Sequence, residues 1–162
     1  MTVITEAELR KVQSLFAACM VGDLKGVVTI LNHNIHDING NNIYGLDIDP
    51  KGYGRRPIHA ATIGGSLDIV KFLIANGADI NVKSTYGDTA LHFAVHHNRF
   101  FILKLLLESK ADPSIQNNVQ KTPINIANDQ NKGDFVQEIE KYVKISQLDT
   151  EKNVLKKLLE RK

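Results

Sequence analysis

The chain has no tryptophan, few aromatic residues and a single cysteine, and each shortage removes a class of explanation. Aromatic residues are 6% of the 162, so a core of any size must be aliphatic. With Cys19 alone no intrachain disulfide can form, which fits a reducing compartment. Cys19 lies in the apolar run 16–21, and no activating base is near it in sequence. It reads as a small buried hydrophobe rather than a nucleophile. No segment approaches the ~18 apolar residues of a membrane span. The start, with Glu6, Glu8, Arg10 and Lys11 before a short apolar run, lacks the basic leader and longer apolar stretch of a secretory signal. The net charge of +2 is too small to point to nucleic acid, and the two signs are interspersed. The composition, 43% hydrophobic and 23% charged, is that of one ordinary globular domain. The chain is therefore expected to be soluble, cytoplasmic or nuclear, and monomeric, with neither membrane nor nucleic acid as a partner.

What the sequence does contain is an internal repeat. One frame runs Gly54-Arg-Arg-Pro-Ile-His-Ala-Ala61, Leu67-Asp-Ile-Val-Lys-Phe-Leu-Ile74, Asn76-Gly-Ala-Asp-Ile-Asn81. The next begins 33 residues later, with Gly87-Asp-Thr-Ala-Leu-His-Phe-Ala94, Phe100-Phe-Ile-Leu-Lys-Leu-Leu-Leu107 and Lys110-Ala-Asp-Pro-Ser114. A further frame starts at Gln120, with Lys121-Thr-Pro-Ile-Asn-Ile-Ala127 and Phe135-Val-Gln-Glu-Ile139. An earlier one holds Leu15-Phe-Ala-Ala18, Gly22 to Leu31 and Asp37-Ile-Asn39. These frames resemble the ankyrin repeat, with its Gly-x-Thr-Pro-Leu-His-x-Ala opening, over residues 9–143.

The resemblance implies an all-α solenoid of four stacked helix-turn-helix units with finger loops, plus a C-terminal helix. The repeats would span 9–39, 52–84, 85–117 and 118–143, with a long finger at 40–53 and an amphipathic helix or tail at 144–162. The residues agree with that reading. Thr89 and Thr122 suit the N-cap of a first helix, and Pro123 suits its first position, which needs no N–H. Gly22 and Gly65 stand where the two helices join and a positive φ is tolerated. Ile69, Val70, Phe72, Leu73 and Ile74, repeated as Ile102, Leu103, Leu105, Leu106 and Leu107, give each second helix an apolar face that only a stacked neighbour can cover. The terminal repeats depart toward polarity: the first lacks the Pro-Leu-His element, and the last has Asn125 and Glu138.

Three irregular features stand out. Arg56 replaces the capping Thr, which forfeits about 0.5–2 kcal/mol unless something substitutes. It is either drift or, with Arg55, a small basic point on the binding side. Asn39 stands fifteen residues before Gly54, where Asn81 stands six before Gly87, so nine residues are inserted. This Gly-, Asn- and Asp-rich segment reads as loop, either a contact element or a tolerated insertion. Asp47 and Asp49 within it lack the closing glutamate of a calcium loop. In the tail, Leu148, Val154, Leu155, Leu158 and Leu159 share one side of a helix capped by Asp149 or Thr150. That helix is either a cap on the last repeat or a partner-binding or linking element.

Catalytic chemistry is hard to place. His92 and His96 have the i,i+4 spacing of a metal pair, but no third ligand follows by spacing, and the resemblance assigns His59 and His92 to a structural role bridging loop backbone. No phosphate loop, nucleophile elbow or carboxylate pair is present. The chain is read as a protein-binding module, not an enzyme, with no cofactor and no metal. The resemblance places binding on the fingers and first helices: Tyr53, Arg55 and Ile63 in the second repeat, Tyr86, Asp88, His96 and His97 in the third, and Val119, Lys121, Asp129 and Gln130 in the last. Tyr and Arg are favoured interface anchors. Asn81 also resembles the finger asparagine that hydroxylases modify in many ankyrin proteins. A narrower similarity is to stand-alone ankyrin proteins of the myotrophin kind, which share a basic residue at the Arg56 position and bind actin capping protein. The long finger and the tail are not shared with them. The alternatives are an ankyrin targeting fragment of a larger effector or enzyme and, resting on the histidines alone, a metal protein.

Overall fold

A computed structural model describes residues 6–32, 49 and 52–159, and the side chains of 14–32, 49, 52–152 and 156. Most of the finger at 40–53, with Asp47, His33 and His36, lies outside the described residues. Those described form eight α-helices: α1 (Glu6–Val21), α2 (Leu24–Asn32), α3 (Pro57–Gly64), α4 (Leu67–Ala75), α5 (Ala90–His96), α6 (Phe100–Glu108), α7 (Pro123–Asp129) and α8 (Gly133–Leu159). The helices pair as α1–α2, α3–α4, α5–α6 and α7–α8. The first helices pack on one another in chain order, as do the second helices, giving two layers. No described helix is long and apolar enough to cross a membrane.

Local sequence accounts for the helix ends. Pro57 and Pro123 occupy the first turn, where the missing N–H costs nothing. Thr89 and Thr122 are extended N-caps, and their N–H groups donate to His92 Nδ1 at 3.1 Å and Asn125 Oδ1 at 3.0 Å. Arg56 keeps half of this arrangement: its N–H donates to His59 Nδ1 at 3.0 Å, but its side chain carries no acceptor, so the hydroxyl half is lost. The helix–helix joint needs a left-handed residue in every repeat. Gly22 and Gly65 supply it at φ 82° and 86°, and Asn98 and Asn131 supply it in the later repeats at 56° and 54°. Asparagine is among the few L-residues that adopt this conformation readily.

Among the described residues the core is one largely aliphatic cluster, joined by Phe16 and Phe135. Ala60, Ala61, Ala94 and Ala127 are fully buried in the first-helix layer, where their small side chains let the helices approach. Gly64 marks the tightest approach, since a Cβ there would meet the Met20 carbonyl at 2.2 Å. Leu73, Leu103 and Leu106 fill the space between layers at 0% exposure. Cys19 is buried with them, and desolvation pushes its thiol up to about 12.

One element departs from expectation. The tail is not a separate helix capped at Asp149 or Thr150. It continues the second helix of the last repeat, so that α8 has 27 residues where α2, α4 and α6 have nine each. In the middle repeats this helix stops at Asn76-Gly77 and at Ser109-Lys110, with Gly77 and Lys110 left-handed. The equivalent Tyr142-Val143 is aromatic and β-branched, which resists that conformation. Thr150 is an interior residue whose Oγ1 donates to the Ser146 carbonyl at 2.8 Å.

Candidate interaction face on the fingers and first helices

The fingers are tied to one another by bonds that recur every 33 residues. Thr85 N donates to the Tyr53 carbonyl, and Asn118 N to the Tyr86 carbonyl, both at 2.9 Å. Asn118 Nδ2 donates to the Thr85 carbonyl at 2.9 Å, Asn117 Nδ2 to Asp88 Oδ1 at 2.8 Å, and Lys83 Nζ to the Gln116 carbonyl at 3.0 Å. Asp112 N donates to Asn81 Oδ1 at 2.9 Å, so the Asn81 side chain spans two repeats. Each finger is thus registered on the next by backbone groups satisfied across the joint.

The two structural histidines hold the finger bases. Because His59 Nδ1 accepts from Arg56 N, its Nε2 carries the proton and donates to the Val82 carbonyl at 2.9 Å. His92 Nδ1 accepts from Thr89 N while Nε2 donates to the Lys121 carbonyl at 3.0 Å. Burial holds both rings neutral, lowering His59 to about 4 and lowering His92 in the same direction. With both nitrogens of His92 committed to backbone, the His92–His96 spacing supplies no free imidazole pair. Among the described residues there is no cluster of three or more His, Cys, Asp or Glu placed to hold a metal ion.

The expected contact residues fall into distinct settings. Tyr53 and Tyr86 are exposed and lie ring to ring on adjacent fingers, with centroids 5.6 Å apart and planes tilted by 56°. Val119 follows at the same position of the next finger and is also exposed. Arg55 backs this column. Its guanidinium lies 5.2 Å from the Tyr53 ring centroid and 4.9 Å from that of Phe16. It also donates twice to Asp49, through Nε and Nη2, at 2.6 Å each. Asp49 is fully buried, so Arg55 neutralises a carboxylate and stiffens the finger base. Of the expected basic point, Arg55 is thereby committed to Asp49.

Asp88 is half-buried and held by Asn117. His96 and Gln130, 34 residues apart, meet at 3.0 Å through Nδ1 and Nε2. His97 is exposed beside Phe93, whose ring also neighbours His59. Partial burial and then the Arg99 charge lower the pKa of His97. Lys121 forms an exposed ion pair with Asp129. Ile63 is the exception: its side chain is buried, and its carbonyl accepts from a neighbouring repeat.

That neighbour is a device the sequence reading passed over. Arg99 donates to the Ile63 carbonyl from Nε at 3.1 Å and Nη2 at 2.7 Å. Lys132, 33 residues later, donates through Nζ to the Val95 carbonyl. The third and fourth repeats thus each send a cation to the C-terminal carbonyls of the preceding first helix, which lack intrahelical donors. Desolvation there lowers the Lys132 pKa. The signal was present in the sequence as a basic residue directly after each joint asparagine, Asn98-Arg99 and Asn131-Lys132.

A family profile described as ankyrin repeats, in three copies, matches residues 15–117 and 65–149. Among curated proteins, the chain is similar to a "Probable E3 ubiquitin-protein ligase XBOS33" from Oryza sativa subsp. japonica, at 46% identity over 44 residues. That stretch is 27% of this chain and 8% of the relative, so the likeness covers only a small part of either.

Proposed function

Because this chain belongs to the ankyrin-repeat family, a family of protein–protein interaction modules, we propose that it binds a partner protein through the face formed by its fingers and first-helix ends. The observation that carries the reading is the exposed Tyr53–Tyr86 pair, extended by Val119. These side chains sit on fingers whose backbones are hydrogen-bonded in register, so a partner meets an ordered surface and little ordering entropy is lost on binding. Around the aromatic column, His96, His97, Arg56 and the Lys121–Asp129 pair provide a polar margin. Arg55 acts from behind, holding Tyr53 in place. Ile63 belongs to the packing rather than to the contact surface.

The matching experiment compares the wild type with a Tyr53→Ala, Tyr86→Ala double variant in affinity capture. Partners retained by the wild type should be lost or weakened by at least tenfold, the loss that follows from truncating hot-spot aromatics worth ~2 kcal/mol or more, with the thermal midpoint of the variant close to that of the wild type. Equal retention by both proteins sinks the assignment. Purified actin capping protein, the partner implied by the myotrophin resemblance, is a direct probe for the same pair.

A second reading makes the chain the targeting part of a larger effector or enzyme. The local likeness to a segment of a probable ubiquitin ligase favours it. Both readings assign the same face to partner capture.

A further inference from the structure

Helix α8 has two faces with different destinations. Phe135, Ile139, Tyr142 and Val143 pack it onto the stack. Beyond Val143, the same side presents Ser146, Gln147 and Thr150 beside the loop at Asp112–Ser114. The apolar residues of the extension lie elsewhere. At about 100° per residue, Ile145 and Leu148 stand roughly 180–240° around the helix from Ile139. They are 47% and 55% exposed. Ile145 and Leu148 therefore do not cover the last repeat; the side chains of Val154, Leu155, Leu158 and Leu159, which the expected cap also included, lie outside the described residues.

The spacing identifies what such a side fits. Ile145, Leu148, Lys152, Leu155 and Leu159 follow one another at intervals of three, four, three and four, the a/d pattern of a left-handed coiled coil. With Ile145 at a and Leu148 at d, the g positions are Lys144, Glu151 and Leu158, and the e positions are Asp149 and Lys156. In a parallel pair of identical helices, each g residue faces the e residue five positions on in the other chain. Lys144 then meets Asp149 and Glu151 meets Lys156, both pairs of opposite sign. Reversing one helix while keeping Ile145 opposite Leu155 sets Glu151 against Glu151 and Asp149 against Asp149. The flanking charges favour the parallel arrangement over this antiparallel register, with Lys152 meeting Lys152 across the seam as the one like-charged contact.

We propose that residues 144–159 pair with the same segment of a second copy of this chain as a short parallel coiled coil. The seam is two heptads long and has Lys152 at its central a position, which weakens it and fixes its register. Association is accordingly concentration-dependent, and it is independent of the finger face. A dimer joined at α8 carries two such faces, so partners presented in pairs are held with avidity.

Sedimentation equilibrium of the full chain, from low micromolar to several hundred micromolar, should show the mass rising from one chain toward two. Leu148→Glu should remain at the mass of one chain throughout, with an unchanged melting midpoint at low concentration to show that the stack is folded. Lys152→Ile should tighten association by roughly tenfold or more. Ile145→Cys should cross-link under mild oxidation, because the same a residue meets itself only in the parallel register; Cys19 is buried at 0% exposure and does not compete. A single-chain mass for wild type and Lys152→Ile at every concentration overturns the proposal, as does a dimer that survives Leu148→Glu. A dimer in which Ile145→Cys fails to cross-link overturns the parallel arrangement.

Discussion

At the residue scale, the two cations and the two histidines carry most of what can be tested. Arg99 donates two hydrogen bonds to a carbonyl at the end of α3, and charge-assisted bonds of this kind exceed neutral ones. Arg99→Ala should destabilise the stack by about 1–2 kcal/mol, read by urea denaturation at neutral pH; an unchanged midpoint would remove the capping role. His59 makes a pH prediction. Its folded pKa of about 4 lies below the unfolded 6.5, so the unfolded chain takes up the proton first as pH falls. The contribution is complete above 6.5 and declines between 6.5 and 4, by up to about 3 kcal/mol. His59→Asn copies the Asn125 of the last repeat, which keeps the acceptor for the cap N–H but does not titrate. That variant should lose part of the acid sensitivity in this window and cost about 1 kcal/mol at neutral pH for the Val82 bond. Denaturation midpoints measured across pH 4–7 test both parts.

At the element scale, α3 and α8 are the irregular helices. Helix α3 begins at Arg56 with no hydroxyl to accept from its first turn. Arg56→Thr restores the arrangement seen at Thr122 and should raise stability by about 0.5–1 kcal/mol, visible as a higher thermal midpoint. Helix α8 was misread in sequence because its amphipathic tail has a plausible cap at Asp149 or Thr150. The stronger evidence was the lack of any glycine, asparagine or proline at residues 141–152, which leaves nothing to stop the preceding helix. Beyond Lys144 the described side chains are exposed. Truncation after Gln147 should therefore change stack stability at low concentration by less than about 0.5 kcal/mol, measured by circular dichroism melting. A large loss would mean that the extension caps the last repeat after all.

At the scale of the whole molecule, stability is shared among neighbouring repeats rather than lodged in one centre. The period of 33, the paired helices and the joint glycines were legible because each repeat solves the same packing problem with the same residue types. The Tyr53–Tyr86 neighbourhood was legible for the same reason, since both residues stand one place before a repeat glycine. Asp49 was not: its pairing with Arg55 crosses a non-periodic insertion, and no spacing rule connects the two. Ile63 was placed on the contact face because its position near the end of a short first helix is open to either exposure or burial, and the stack leaves it buried.

Partners are to be met by the finger side of the stack and not by its outer layer. Amide hydrogen exchange of the chain, alone and with a captured partner, decides between the two. Added protection is expected around Tyr53, Tyr86, Val119 and the end of α5 at His96 and His97. Protection confined to α4 and α6, around the exposed Phe101, with the fingers unchanged, would contradict it.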